Sequence, residues 1–420
     1  MAGAGCRYAS YNPRMVKDKL VACCALFWGL VVFMPVGMNY LAFFALGLAT
    51  LVTGSAGARW RRVRAHPLYW PLALFVTWTL VVLALQPVWY AQTPSNVWHG
   101  ARIAATLALA LSLAADEARW ALRGFIAAAI CSLAIIVVHA VADLPELGVW
   151  RNLISYSGNK SIANALLMAV LAGSAVVLAL STVGKTRLVA VALLALLTVV
   201  LVLALPSRTA LLMVLLALLT AVVHQWRHHK PTLLRLLALA LLASALFVAA
   251  VPEVRSRLAQ GASEVQQAVG GEVAFKSWNI RVQMIRHTGA MVLERPWMGW
   301  GIGAWNDQWR KRVSPMLADL NMPHNDLLWM GAQAGVPGAL SWLVLMLAAC
   351  RAGWRRQDVV GRLAFVAAVT LLLSALVNSA TRDAVIGLSL LWVVGVYLRL
   401  AADPQFDLRL VFARAGPAAT

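Results

Sequence analysis

Residues 187–223, RLVAVALLALLTVVLVLALPSRTALLMVLLALLTAVV, decide the fold. After Arg187 this stretch holds one charged side chain, Arg208. It reads as two apolar runs, 187–205 and 208–223, joined at Pro206-Ser207-Arg208-Thr209 by a hairpin so tight that the runs barely separate. A helical run of about 20 apolar residues matches the ~30 Å hydrocarbon core of a bilayer. Lipid offers the backbone no hydrogen-bond partner, so such a run must be helical.

Outward from this hairpin the pattern repeats. Further apolar runs fall at 20–36, 39–57, 69–87, 98–115, 121–142, 162–182, 233–251, 326–349, 361–379 and 384–401. The composition, 61% hydrophobic and 12% charged, leaves too little polar surface for a soluble chain of this length. The sequence therefore predicts an all-α polytopic membrane protein of about twelve transmembrane helices. It divides into residues 1–251 with nine spans, an outer helical loop at 252–325, residues 326–401 with three more spans, and a tail at 402–420. The cysteines form no disulfide framework, because Cys23, Cys24 and Cys131 fall inside spans and the outer loop has none.

Twelve spans put both termini on one side, and the cations choose that side. Of 36 Lys and Arg residues, 22 fall before the first span, after the last, or in every second loop, with Arg59, Arg61, Arg62 and Arg64 the densest group. By the positive-inside rule that side is cytoplasmic. The net charge of +20 is thus spread over short loops, which excludes nucleic-acid binding. His224, His228 and His229 lie on this side beside Arg227 and Lys230 and read as a solvated patch.

The other 14 cations face outward, nine of them in the long loop. Arg102, Arg151, Lys160, Arg208 and Arg382 sit in short outer loops or at helix ends, against the topology signal. Each alone could snorkel to a headgroup. As a set they point to an anionic ligand at the outer face. Arg208 in its tight hairpin suits a bidentate phosphate clamp or an interfacial anchor. His99 and Arg102 sit together at the outer end of one span and can join the same anionic site.

The outer loop reads as ordered. One helix is expected up to Gly270-Gly271, and a second over about 277–293, with Arg281 and Arg286 flanking its apolar face on opposite sides. Pro296-Trp297-Met298-Gly299-Trp300-Gly301-Ile302-Gly303-Ala304-Trp305 follows, a glycine turn whose tryptophans suit a membrane interface or sugar stacking. It is no phosphate-loop fingerprint, since no strand precedes the glycines and no helix clearly opens after them. The loop ends at Met322-Pro323-His324-Asn325-Asp326. His324 can act as a base near neutral pH. Asn325 and Asp326 can orient it, or cap the helix that begins there.

Ser207-Arg208-Thr209 between joined spans, Arg281 on the second loop helix, the Pro-Trp-Met-Gly-Trp-Gly-Ile-Gly turn, Pro323-His324-Asn325, and Gly335-Val336-Pro337-Gly338 in the next span together resemble the O-antigen ligase family. Related polymerases and protein O-oligosaccharyltransferases share much of the pattern. The resemblance implies transfer of a polysaccharide from undecaprenyl diphosphate to the lipid A–core glycolipid, at the periplasmic face of a bacterial inner membrane. It also implies a fold similar to that of other multi-span glycosyltransferases. It carries over His324 as the base and Arg208 and Arg281 as diphosphate ligands. Lys160, Arg286 and Arg382 are added from topology and charge, with Asp383 beside Arg382 as an orienting group. No cofactor is expected, and no outward Asp pair suggests a divalent metal. The rival from another class is a transporter for an anionic solute or lipid, which needs the cations and spans but no histidine at a loop end.

Overall fold

The structure, a computed structural model, describes residues 13–142, 144–146, 150–154, 159–205 and 208–408. Its helices are α1 (Pro13–Val31), α2 (Val36–Val52), α3 (Ala56–Ala65), α4 (Tyr69–Leu85), α5 (Thr93–Ser112), α6 (Ala115–Ala142), α7 (Arg151–Ile154), α8 (Asn159–Ser181) and α9 (Gly184–Leu203). They continue as α10 (Arg208–Trp226), α11 (Lys230–Ala250), α12 (Pro252–Val269), α13 (Ser277–Glu294), α14 (Trp305–Arg310), α15 (Asp326–Arg355), α16 (Val359–Asn378) and α17 (Ala384–Ala401). No strand occurs among the described residues.

Each of the twelve apolar runs falls on a helix, and the chain is a multi-pass membrane protein. Seven described helices are long and apolar enough to cross a bilayer by themselves, or eight if the bent pair α2–α3 counts as one span. The part of α1 from Lys19, α4, and α10 from Ala210 are apolar but shorter. Helix α5 carries polar side chains, His99 and Arg102 among them, in its first half.

Helix α17 is the hub, packed on α2, α5, α6, α8, α15 and α16. Nearly every residue from Ile386 to Leu400 is buried, and Trp392 stacks on Trp28 of α1 with ring centroids 4.1 Å apart. Lipid tails are as apolar as leucine, so close packing rather than transfer from water holds such helices together. The α1–α6 crossing illustrates this. Gly29 and Gly124 meet there, and a Cβ on either would collide with the opposite backbone. Helix α11, by contrast, has no buried residue among those described and presents its apolar surface to lipid.

The segment carrying Arg59, Arg61, Arg62 and Arg64 is expected as a loop; the structure makes it the helix α3, bent 114° from α2. Gly54, at φ 67°, allows the turn. The four cations cannot follow α2 in the hydrocarbon, yet Ala56, Arg59, Trp60 and Val63 still recur at helical spacing and face the bundle. Arg59 is buried because Glu117 of α6 meets its guanidinium with both oxygens, at 2.8 and 2.7 Å. A second correction concerns the histidines of that end. His224 is buried between the Trp354 and Phe365 rings, at 5.1 and 5.3 Å, and only His228 and His229 are exposed.

Residues 252–325 begin with two helices and a glycine turn, as the periodicity predicts. Helix α12 stops at Gly270, Gly271 takes φ 93°, and α13 packs back on α12 and on α15. Gly299, Gly301 and Gly303 all adopt positive φ. A short helix, α14, opens directly after them, contrary to the sequence reading.

Candidate active site

The site is framed by a break in α15. Gly335 sits at φ 70°, ψ −176° inside this helix, and Pro337 follows two residues later. Neither the bent backbone nor a proline can complete the ladder there, so the carbonyls of residues 332–334 need other donors. The glycine turn supplies them: Trp300 N–H donates to Ala332 O at 2.9 Å and Gly301 N–H to Gln333 O at 3.0 Å. Trp78 Nε1 donates to Ala334 O at 2.8 Å, and the displaced Val336 N–H donates to Pro296 O at 2.6 Å. Two motifs that lie apart in the sequence are therefore one interlocked joint. It is tied to the α4–α5 loop as well, through Gln86 Oε1, which accepts from Ile302 N–H, and Tyr90 Oη, which donates to Trp300 O.

The three tryptophans of the turn part company. Trp305 is buried and stacks on Trp309 at 5.1 Å. Trp300 lies between the guanidinium groups of Arg295 and Arg312, at 4.1 and 4.9 Å from its ring. Trp297 alone remains 75% exposed, which leaves it for a membrane interface or a sugar.

At the mouth of α15, Asn325 is the helix cap, its Oδ1 accepting the Leu328 N–H at 2.9 Å. Asp326 is fully buried and turns the other way. Its Oδ2 accepts from Thr381 N–H at 2.7 Å and Thr381 Oγ1 at 2.6 Å. This bond joins the 322–326 segment to the 379–383 loop between α16 and α17. That loop is held on all sides. Trp342 Nε1 donates to Thr381 Oγ1 at 3.3 Å, and Asp383 caps α17 by accepting from Val385 N–H and Ile386 N–H at 2.9 and 3.0 Å. Arg102 reaches over from α5, across Gly387, and its Nη2 donates to the carbonyls of Thr381, Arg382 and Asp383. Arg102 thus clamps the loop backbone, and Asn325 and Asp383 cap helices.

Within this frame sits His324. Among the described residues two non-glycines have positive φ, His324 at 51° and Ser379 at 50°, one in each of the joined loops. Such backbone costs on the order of 1–3 kcal/mol per residue and persists only where surroundings over-determine it. The His324 Nδ1 is buried and has no hydrogen-bond partner. Burial first, then the positive charges of Arg281 and Arg382, push the imidazole pKa down to about 4, with Asp383 opposing them. The sequence reading assigns that lowering to the arginines; burial is the larger cause.

Arg281 of α13 faces this cluster, its Nη2 3.4 Å from Asn378 Oδ1 at the end of α16. Arg382 is 7% exposed, with its guanidinium 5.7 Å over the Trp329 ring, and the His99 ring approaches the same indole at 6.5 Å. Buried Nε of Arg382, Nδ2 of Asn378 and Nδ1 of His99 have no hydrogen-bond partner. Arg286 lies five residues from Arg281, roughly 140° around the helix, and is exposed. The side chains of Lys160, in α8, and Arg208, in α10, lie outside the described residues, as does Ser207. Asn378, Thr381 and Trp329 carry no signal in the sequence, since each contact crosses dozens of residues and matches no local pattern.

A bundle of apolar helices with a cationic, histidine-bearing cluster where its loops converge at one end defines a multi-pass membrane protein with a candidate site at that end. Residues 192–343 match the O-antigen ligase family model, so this part of the chain is similar to that ligase- and polymerase-type family. Its members are glycosyltransferase-like enzymes, and the family implies a lipid-linked glycan and a lipid acceptor as substrates in general. The matched segment contains Arg208, Arg281, His324 and the Gly335 break; Lys160, Arg102, Arg382 and Asp383 lie beyond it. No curated protein matches the chain.

Proposed function

We propose that this protein is an O-antigen ligase. In this reading it moves a polysaccharide from undecaprenyl diphosphate to a sugar hydroxyl of lipid A–core, at the periplasmic face of a bacterial inner membrane that it crosses twelve times. The observation that carries the reading is the half-buried imidazole of His324, its Nδ1 without a hydrogen-bond partner, beside Arg281 and Arg382 in the family-matched part of the chain.

The chemistry follows from the charges. Neutral His324 accepts the proton of the acceptor hydroxyl while its oxygen bonds to the anomeric carbon. The bond from that carbon to the diphosphate oxygen breaks, and undecaprenyl diphosphate leaves with the electron pair. Arg281 and Arg208 bind the diphosphate, with Arg382 and Lys160 adding positive charge nearby, and no metal is assigned a role. Preorganised cations aimed at a developing negative charge are worth most in such a water-poor site. The same cations suppress the basicity of His324 before the donor binds. A bound diphosphate offsets them and raises the imidazole pKa, so the base strengthens only when its substrate is present. Asp326 holds the two loops in register through Thr381.

An O-antigen polymerase or a protein O-oligosaccharyltransferase would share this chemistry and differ in acceptor. A transporter would share the helices and cations, with no need for His324 at a loop end. Purified protein in proteoliposomes, given lipid-linked glycan and lipid A–core, separates these readings. The ligase yields glycan-extended lipid A–core and free undecaprenyl diphosphate. Elongation of the donor itself, or movement of donor without a new glycosidic bond, would overturn it.

A further inference from the structure

A second feature lies at the opposite end of the bundle. From Arg102 to Ser112, α5 runs about 15 Å, away from the His324 end and towards α3. There α2, α3 and α5 enclose a groove of about 770 Å³, within the roughly 300–1,000 Å³ typical of small-molecule sites. Its walls are apolar, with Phe43, Phe44 and Leu48 from α2 and Leu109 from α5, and small residues such as Gly47 and Ala105 leave it open. A Cβ built on Gly47 meets nothing within 4 Å. The one charged group in the lining, Arg59, is consumed by Glu117 and by Ser55.

The side of α3 turned away from the groove is different. Arg61 and Arg64 of α3 are exposed, and neither has a hydrogen bond or ion pair among the described residues. Trp60, between the groove and these cations, is 52% exposed. A helix bent 114° from its transmembrane predecessor, with tryptophan and arginines at the bend, has the composition of a membrane interface. From Phe43 to Leu51 the groove runs about 12 Å along α2, less than the roughly 15 Å depth of one leaflet. That length suits one acyl chain and is too short for a polyprenyl tail.

We infer that this groove holds an acyl chain of an anionic phospholipid whose headgroup phosphate is bound by Arg61 and Arg64. The site is independent of the transfer chemistry. An interfacial cation adds about fivefold to the affinity for an anionic lipid, so loss of both arginines should weaken binding by about 25-fold.

The test uses full-length wild type, Gly47→Leu, Gly47→Ala and the double variant Arg61→Ala/Arg64→Ala in neutral detergent. Each is titrated with phosphatidylglycerol or phosphatidylcholine, following melting temperature and the lipid retained in native mass spectrometry. Wild type and Gly47→Ala should retain phosphatidylglycerol in preference to phosphatidylcholine and melt higher with it. Gly47→Leu fills the groove and should lose the retained lipid. The arginine variant should bind phosphatidylglycerol about 25-fold more weakly and phosphatidylcholine as before. Equal retention of both lipids by wild type, undiminished phosphatidylglycerol binding by the arginine variant, or preferential retention of a polyprenyl phosphate would overturn the inference.

Discussion

The two ends of the helix bundle use arginine in opposite ways. At the α3 end Arg61 and Arg64 stay exposed, but the arginines that reach into the bundle are spent on the protein itself. Arg59 pairs with Glu117, Arg62 donates to Ser112 O, and Arg399 Nε donates to Leu113 O at 2.6 Å. Arg356 ties the carbonyls of Asp403 and Phe406, and Arg227 donates to Trp354 O at 2.6 Å. Most of these acceptors lie where helices finish and carbonyls lack partners, so a cation there is favourable structurally. At the His324 end Arg102 does the same work, and Arg312 is paired with Glu294 at 2.6 Å. Arg281 and Arg382 instead converge on the half-buried His324, and the buried Nε of Arg382 and Nδ2 of Asn378 have no hydrogen-bond partner. Cations gathered round a histidine in a low-dielectric setting mark a candidate functional site rather than a simple joint.

That contrast separates stability from activity. Arg59→Ala strands a buried carboxylate and should destabilise the protein by about 3–5 kcal/mol, read as a lowered midpoint of unfolding in detergent. Transfer per folded molecule should be retained. Replacing Arg59 and Glu117 together by apolar residues should recover most of the loss. Arg281→Ala should do the reverse, lowering transfer about 10²–10³-fold with the unfolding midpoint unchanged. If Arg59→Ala removes activity from folded protein, or Arg281→Ala merely unfolds it, the two ends are not distinct in kind.

A subtler test uses pH. In the proposed mechanism transfer needs His324 neutral, and in the free protein its pKa is lowered to about 4. The acid limb of kcat/KM, which reports free enzyme, should therefore lie near that value. The acid limb of kcat reports the donor complex, where bound diphosphate offsets Arg281 and Arg382, and should lie at higher pH. Coincident limbs would mean that the arginines and the histidine do not share the donor. The smallest effect is expected at Arg286, exposed and turned from the cluster: Arg286→Ala should change transfer by less than about twofold.

The sequence makes the helices legible because lipid leaves the backbone no alternative, and each apolar run is a helix. His324 and Arg281 are also legible, as a histidine at a loop end and a cation in the outer loop. The reading stops where geometry is set by distant partners. Residues 56–65 look like a basic loop, and become α3 because Arg59 finds Glu117 across 58 positions of sequence. Arg102 and Arg382 look alike as outward cations, yet one binds the backbone of the other's loop. Gly335 reads as one small residue in an apolar run; only its φ of 70° and the docked glycine turn reveal a joint. Arg281 and Arg286 are equal candidates by charge until α13 is packed and Asn378 meets one of them.

His324 bears the central claim most directly. Base catalysis by a positioned side chain contributes about 10²–10⁴-fold. His324→Gln keeps a hydrogen-bonding side chain without the basicity, and His324→Ala removes both. Glycan transfer from undecaprenyl diphosphate to lipid A–core should be measured for both variants in proteoliposomes, at matched levels of folded protein. The account predicts loss of transfer by about 10²-fold or more in each, with donor binding retained. Transfer by His324→Gln at the wild-type rate would contradict it, and would make the histidine a structural element of the loop.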